Sequence, residues 1–414
     1  MVSMNKVSVS GLGYIGLPTA ALIASSGFQV NGVDVNKNAI ETINQGKIHI
    51  VEPGLEKMVN RVVVDKKLVA TDTPAPADVF IICVPTPFSE GNIPDLSYIE
   101  EASKAIAPVL SKGNLVILES TSPVGTTEKL SNWLSLSRQD LTFPHIAGEH
   151  SDIRVAHCPE RVLPGNIIHE LVENDRIIGG VTNACSDAAV KFYKNFVKGS
   201  CIVTNAKTAE MCKLVENSFR DVNIAFANEL SLICDELRID VWDLIQLANK
   251  HPRVNILQPG CGVGGHCIAV DPYFLISQTP DAAKLISTAR NVNNDKPSYV
   301  VQQIIQTTQR NKCNQVAVLG ISFKPDIDDI RESPALDIAL ELKMSGFEVK
   351  IIEPNLNTLP EQLIGENVEK ISLSQLNELD DKCTKAVLVA HSDFKAKKDL
   401  LRLPYVLDFC GALR

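Results

Sequence analysis

Residues 7–34 constrain the fold more than any other stretch of the chain. The run VSVS at 7–10 reads as a short strand, Gly11, Gly13 and Gly16 follow at once, and an apolar helix begins at Leu17. A second strand, FQVNGV, ends at Asp34, eighteen residues beyond Gly16. Strand, glycine turn, helix, strand and acid in that order form a βαβ unit suited to a dinucleotide. The glycines let the backbone come close to a pyrophosphate, which then rests on the N-terminal end of the helix. Asp34 would accept hydrogen bonds from a ribose diol and repel a 2′-phosphate, so the spacing predicts NAD over NADP. A tight turn without a ligand is the plain alternative. Tyr14 and Ile15, inside the turn, join Gly11, Gly13, Gly16 and Asp34 as expected cofactor contacts.

Further strand-like runs lie at 79–84 (VFIICV), 115–119 (LVILE) and 153–157 (IRVAH), with helix-like segments between them. That alternation predicts a doubly wound parallel sheet. The loops after such strands gather on one edge. Val84-Pro85-Thr86-Pro87, Glu119 to Pro123 and Cys158 to Arg161 all lie at strand ends. Pro85, Thr86 and Thr121 are therefore expected beside the cofactor, although Pro and Thr also shape ordinary turns. From about 205 to 249 apolar residues recur at helical spacing without Pro or Gly, a span long enough for a spine or a subunit contact. A second strand, helix, strand layout starts near 315 with QVAVLG, SPALDIALELKMSG and FEVKIIEP, and KAVLVA at 385–390 adds another strand. It lacks the GxGxxG pattern. The expected architecture is α/β, with two Rossmann-like doubly wound domains joined by a long-helix central region: 1–200, 201–308 and 309–414.

Composition removes several functions. A net charge of −9 argues against a nucleic-acid partner. No apolar stretch reaches 18 residues, so no membrane span is expected, and the opening residues do not read as a signal peptide. The eleven cysteines show neither a CxxC pair nor a His-rich partner set, which points to a reducing cytoplasm and to no metal site.

Two stretches carry chemistry. Lys213, Asn217 and Arg220 are spaced i, i+4, i+7, so they share a helix face. A Lys and an Asn on one face suit oxyanion stabilisation and proton transfer, while a solvated stripe is the alternative. The segment HPRVNILQPGCGVGGHCIAVDP, 251–272, packs four glycines into the six residues from Gly260 to Gly265, then delivers His266, Cys267 and Asp271. A thiol on a glycine-lined approach is placed for nucleophilic work, although free cysteines are often just small buried hydrophobes. His251 and Arg253 offer donors for phosphate or sugar hydroxyls. Phe323-Lys324-Pro325-Asp326 and the charged run from Asp328 to Pro334 follow a strand, where a second nucleotide could bind.

These motifs, in this order and over nearly the whole chain, resemble the UDP-glucose/GDP-mannose dehydrogenase family. The segments HIVEPGL (49–55), PERVLPGN (159–166) and AEMCKLVENSFRDVNIAFANELS (209–231) point to its UDP-N-acetyl-D-mannosamine branch. The resemblance implies that Cys267 is the nucleophile, that Lys213, Asn217 and Asp271 assist it, and that Glu160 is the glutamate of the family's Pro-Glu turn. It implies a phosphate contact for Lys324, a reach toward NAD for Arg331, and an Arg253 that crosses to a partner subunit. Arg161, Val162, Arg220, His251, Gly264 and Phe323 fall in substrate-contact segments. The implied reaction is a four-electron oxidation of a UDP-sugar C6 alcohol through a thiohemiacetal and a thioester, using two NAD per sugar, in a homodimer or higher oligomer. Relatives acting on glucose or mannose carry Leu-Arg-Glu-Gly where this chain has Val162-Leu163-Pro164-Gly165, which points toward an amino sugar. UDP-N-acetylglucosamine is the alternative substrate. A two-electron hydroxyacid dehydrogenase and a non-catalytic NAD or nucleotide-sugar sensor are the rival functions.

Overall fold

The computed structural model describes residues 4–163, 165–265, 267–397, 399 and 403–414. Pro164 and His266 lie outside the described residues. The chain packs as two compact units, Met1–Val215 and Glu216–Arg414.

The first unit is built on an eight-stranded sheet in the spatial order Cys201–Asn205, Arg176–Gly180, Arg154–His157, Leu115–Leu118, Val79–Ile82, Lys6–Ser10, Gln29–Val33, Leu68–Thr71. Val79–Ile82 and Leu115–Leu118 are buried at every position. A strand covered on both faces has no solvent side to mark with polar residues, hence the unbroken apolar runs. Lys6–Ser10 pairs in parallel with Gln29–Val33 on one side and with Val79–Ile82 on the other. Strand order reverses there, so the glycine turn sits at the switch point of the sheet, where α/β proteins bind ligands.

One pair departs from the all-parallel expectation. Arg154–His157 and Arg176–Gly180 run antiparallel, through Ala156 opposite Gly180 and His157 opposite Gly179. An antiparallel neighbour starts at the edge where its predecessor ended, so the chain needs no return pass. The connecting helix Ile167–Glu173 has only 7 residues, about 10 Å of length. Ile167 and Leu171 bury it in the core.

The helical pattern at 205–249 is two helices. Ala206–Leu237 is one helix of 32 residues, and the boundary between the units falls within it. It stops at Arg238, whose φ of 58° is left-handed. Asp240 then caps Val241–Ala248, accepting hydrogen bonds from the N–H groups of Trp242 at 2.9 Å and Asp243 at 3.1 Å. In the second unit this helix system packs with Lys284–Arg310.

The second sheet has five parallel strands ordered Val368–Lys370, Glu348–Ile352, Gln315–Leu319, Thr384–Val387, Val406–Asp408. Ser333 caps the helix Pro334–Met344 through its Oγ, and Gly346, at φ +84°, follows its end. The turn after the first strand repeats the N-terminal one. Gly320 N donates to Ile352 O at 2.9 Å, as Gly11 N donates to Val33 O at 2.8 Å.

Candidate active site

The three glycines of the N-terminal turn have different reasons to be glycine. Gly11 has φ +88°, and a Cβ there would lie 2.6 Å from Cys83 O. A Cβ on Gly16 would lie 1.7 Å from Gly11 O. Gly13 has neither constraint: its Cβ would meet nothing within 4 Å. Nothing packed around position 13 demands glycine, and the open space beside it leaves room for a pyrophosphate to approach the backbone. The helix Gly16–Ser25 has no side-chain cap, which leaves its N-terminal end open to an anion. Asp34 accepts from Leu12 N and Asn36 N, each at 2.8 Å, and is only half-buried. A carboxylate has about four lone-pair sites, so capacity remains for ribose hydroxyls.

Two of the three expected loops are hydrogen-bonded to each other. Thr86 Oγ1 donates to Thr121 O at 2.7 Å, and Ser120 Oγ donates to Val84 O at 2.7 Å. Glu210, from the long helix, fastens the next turn: its carboxylate accepts from Gly125 N at 2.5 Å and Thr127 N at 2.7 Å. Beneath the loops lies a buried polar cluster. Tyr193 Oη donates to Glu119 at 2.6 Å and Cys83 Sγ donates to it at 3.3 Å. Burial drives the Glu119 carboxyl up, opposed by the charge of Arg176. Arg176 Nη1 meets Glu160 Oε2 at 2.8 Å with both groups buried, and Glu160 Oε1 accepts from Arg161 N at 2.6 Å. Both oxygens of Glu160 are thus engaged in holding the turn that carries Arg161 and Val162.

Cys267 is half-buried. Its carbonyl accepts from Asp271 N at 2.8 Å, closing a turn that leads into the helix Asp271–Gln278. Asp271 Oδ2 in turn accepts from Asn217 Nδ2 at 2.5 Å, with both side chains buried. The thiol segment and the helix amide are therefore joined through one carboxylate. Three other thiols are held inert by burial. Burial pushes Cys158 and Cys261 up to about 12 and Cys383 up to about 11, so they stay protonated and unreactive. Cys261 packs in the core of the second sheet.

The glycine-rich approach to Cys267 is close-packed. A Cβ on Gly264 would lie 2.3 Å from Glu332 O and 2.9 Å from Phe323 Cβ, and one on Gly265 would lie 2.8 Å from the Phe323 ring. Gly265 N also donates to Arg331 O at 3.3 Å. Upstream, Gly260 N donates to Asn228 Oδ1 at 2.8 Å. Asn228 Nδ2 reaches Asn293 at 2.9 Å, Asn293 Nδ2 reaches Asp221 at 2.8 Å, and Arg290 Nη1 pairs with Asp221 at 2.6 Å. Asp221 lies one helical turn beyond Asn217. Removing one partner of such a buried pair costs about 3–5 kcal/mol, so this chain of contacts fixes the height of Asn217 against the thiol loop.

The remaining expected residues are placed more loosely. Lys213 is half-buried and Arg220 exposed, on either side of the buried Asn217 along the helix. His251 and Arg253 are exposed, with Arg253 N donating to His251 Nδ1 at 3.3 Å. Lys324 is exposed, and Arg331 pairs with Asp329 at 2.6 Å. Four supporting acids escape the sequence reading as site residues: Glu52, which accepts from Gly165 N and Ile167 N at 2.8 Å each, Glu119, Glu210 and Asp221. Their partners lie far away in sequence, so no local spacing singles them out.

A dinucleotide-type turn with an open Gly13 and an acid closing its second strand, together with a cysteine segment linked through Asp271 to a helix amide, fits an NAD-dependent dehydrogenase. The chain belongs to the UDP-glucose/GDP-mannose dehydrogenase family: the NAD binding domain of that family matches residues 5–197, its central domain 207–295 and its UDP binding domain 317–414. The chain is 61% identical to the UDP-N-acetyl-D-mannosamine dehydrogenase of Campylobacter jejuni, over 95% of this chain and 97% of the relative. It is 56% identical to an NDP-N-acetyl-D-galactosaminuronic acid dehydrogenase of Ralstonia nicotianae, over 99% and 96%. The solved UDP-D-ManNAc dehydrogenase of Pyrococcus horikoshii superposes with a TM-score of 0.87 at 40% identity, covering 99% of this chain and 96% of that one. Among the described residues, no helix is long and apolar enough to cross a membrane.

Proposed function

We propose that the chain oxidises the C6 alcohol of UDP-N-acetyl-D-mannosamine to the carboxylate, with Cys267 as the nucleophile. The observation that carries this reading is the joined turn in which Cys267, Asp271 and Asn217 are linked by hydrogen bonds. Gly11, Gly13, Tyr14, Ile15 and Gly16 would hold the pyrophosphate of NAD, Asp34 a ribose, Pro85, Thr86 and Thr121 the nicotinamide side, and Arg331 would add a charge. When bound, NAD accepts one hydride in each of two oxidations. Lys213 and Asn217 stabilise the alkoxide and later the tetrahedral oxyanion. Cys267 Sγ forms a C–S bond to the aldehyde carbon, giving a thiohemiacetal. After the second oxidation the sugar is a thioester. Water adds to it, the C–S bond breaks, and the thiolate returns as the carboxylate leaves. Asp271, on the same turn as the thiol, is assigned to the water, and Glu160 to holding the loop of Arg161 and Val162. Lys324, Phe323, Gly264, Arg220 and His251 would complete the UDP-sugar site.

The long helix shows exposed Phe219, Phe226, Ile233 and Leu237 on one side. A second copy packing there would make a homodimer, and Arg253 would then serve the partner. A reducing cytoplasm suits a chain whose eleven cysteines are all free thiols. The experiment that tests this reading measures NADH release and acid formation with UDP-N-acetylmannosamine, UDP-N-acetylglucosamine and UDP-N-acetylgalactosamine. The expected result is two NADH per acid, with kcat/KM for the manno epimer about tenfold or more above the others. One NADH per turnover, or a preference for another epimer, overturns it.

A further inference from the structure

Glu353 ends the second strand of the C-terminal sheet, as Asp34 does in the N-terminal one, and it fastens the neighbouring turn in the same way. Ile321 N donates to its Oε2 at 2.8 Å and Asn355 N to its Oε1 at 3.0 Å. What differs is His391. This imidazole is fully buried, just beyond the strand Thr384–Val387, and its Nε2 lies 3.2 Å from Glu353 Oε2. Its Nδ1 accepts from Asp326 N at 2.9 Å. A backbone N–H can only donate, so Nδ1 is the acceptor and the ring proton sits on Nε2, directed at Glu353. Asn355 Nδ2 adds a second donor to Nδ1 at 3.0 Å.

Asp326 closes the other side of the arrangement. Its carboxylate accepts from Ser392 N at 2.8 Å and Ser392 Oγ at 2.6 Å, next to the histidine. Its backbone is left-handed, φ 63°, a conformation that needs such fastening in a non-glycine residue. Ser322 Oγ donates to Lys324 O at 2.9 Å. Residues 322–326 are therefore gripped at both ends, with the exposed Lys324 between them and the Phe323 ring against Gly265.

We propose that His391 is a positioning residue for the substrate. By tying Glu353 to the Phe323–Asp326 turn it sets Lys324 for the nucleotide phosphate and, through Phe323, sets the Gly264–Gly265 approach to Cys267. The proposal rests on the nucleotide-sugar reading above, and extends it to a residue that touches neither substrate nor cofactor. No other uncharged side chain both donates and accepts from the two edges of one small ring, so neither Ala nor Gln reproduces the grip.

The test uses the full chain carrying His391→Ala, with Lys324→Ala alongside. UDP binding is measured by titration calorimetry, steady-state constants are determined with the UDP-sugar and with NAD, and the rate of Cys267 alkylation by iodoacetamide is followed by peptide mass spectrometry. In His391→Ala, UDP affinity is expected to fall and the sugar KM to rise, each about tenfold. The NAD KM should stay within about twofold, and Cys267 alkylation should change at least about threefold, because the glycine approach is no longer fixed. A merely structural role would lower NAD and UDP binding together and would overturn the proposal. So would UDP affinity and Cys267 alkylation both unchanged. If His391→Ala does not fold, Asp326→Asn loosens the same turn from an exposed position, and unchanged UDP affinity in that variant is equally fatal. If Lys324→Ala binds UDP as the unaltered chain does, the nucleotide reading fails. If Lys324→Ala weakens UDP while His391→Ala does not, only the positioning role fails.

Discussion

Each α/β unit places an acid at the end of its second strand, and each acid takes the N–H groups of the turn beside it. Asp34 holds Leu12 and Asn36, and Glu353 holds Ile321 and Asn355. Beyond that common fastening the two diverge. Asp34 is half-buried and next to a Gly13 whose missing side chain leaves open space. Glu353 is buried and covered by His391, and the glycine of its turn is followed by Ile321 and Ser322 rather than by more glycine. The same backbone device thus leaves its acid half-exposed in one unit and makes it an internal brace in the other. What differs between the two units is the side chain that lies over the acid, not the βαβ frame.

The sharpest division concerns the thiol, which belongs to the C-terminal unit. Cys267→Ala should cut uronic acid formation by about 10³-fold or more and leave NAD affinity within about twofold, measured by product assay and by cofactor titration. Comparable loss of NAD binding would erase the division of labour. Next come the glycines. Gly16→Ala forces a Cβ to within 1.7 Å of a carbonyl oxygen and should lower stability by about 2–3 kcal/mol in urea unfolding. Gly13→Ala should leave stability within about 0.5 kcal/mol yet weaken NAD about tenfold. Equal effects of the two would show that Gly13 has a structural reason too.

The acids themselves give a smaller contrast. Asp34→Asn should weaken NAD about fivefold and narrow the gap between NAD and NADP, whereas Glu353→Gln should leave both cofactor affinities alone. The smallest effect is on pH dependence. Burial alone would raise the Glu353 carboxyl, but hydrogen bonds from His391, Ile321 N and Asn355 N outweigh it and hold it below its usual 4.5. A depressed carboxylate stabilises the fold above about pH 4.5 and loses that contribution as pH falls toward its lower folded value. Urea midpoints between pH 6 and 3 should therefore fall less steeply in Glu353→Gln than in the unaltered chain. Parallel slopes would mean the brace is not ionised.

Local order made the strands, both βαβ layouts, Asp34 and the Lys213–Asn217 spacing legible, because each depends on residues a few positions apart. The antiparallel strand Arg176–Gly180 was not legible, since direction depends on how a connection travels and not on the strand's own residues. Cys267 could be singled out by its glycines, but whether those glycines meant flexibility or close packing depended on Phe323 and Glu332, far along the chain. Glu160 shows the same limit: its motif drew attention, while its pairing with Arg176 became visible only in three dimensions.

That packing of Phe323 against Gly264 and Gly265 also sets an order of assembly. A growing chain leaving the ribosome can complete the N-terminal glycine turn early, once the strand Val79–Ile82 and Cys83 have been made. The thiol loop, by contrast, has Asn217 and Asn228 before it to lean on, but its glycines lack their Phe323 and Glu332 packing until residues 320–334 emerge, and His391 comes later still. A chain cut short before residue 320 would keep its N-terminal turn but would hold Cys267 on a glycine segment that lacks the packing of Phe323 and Glu332.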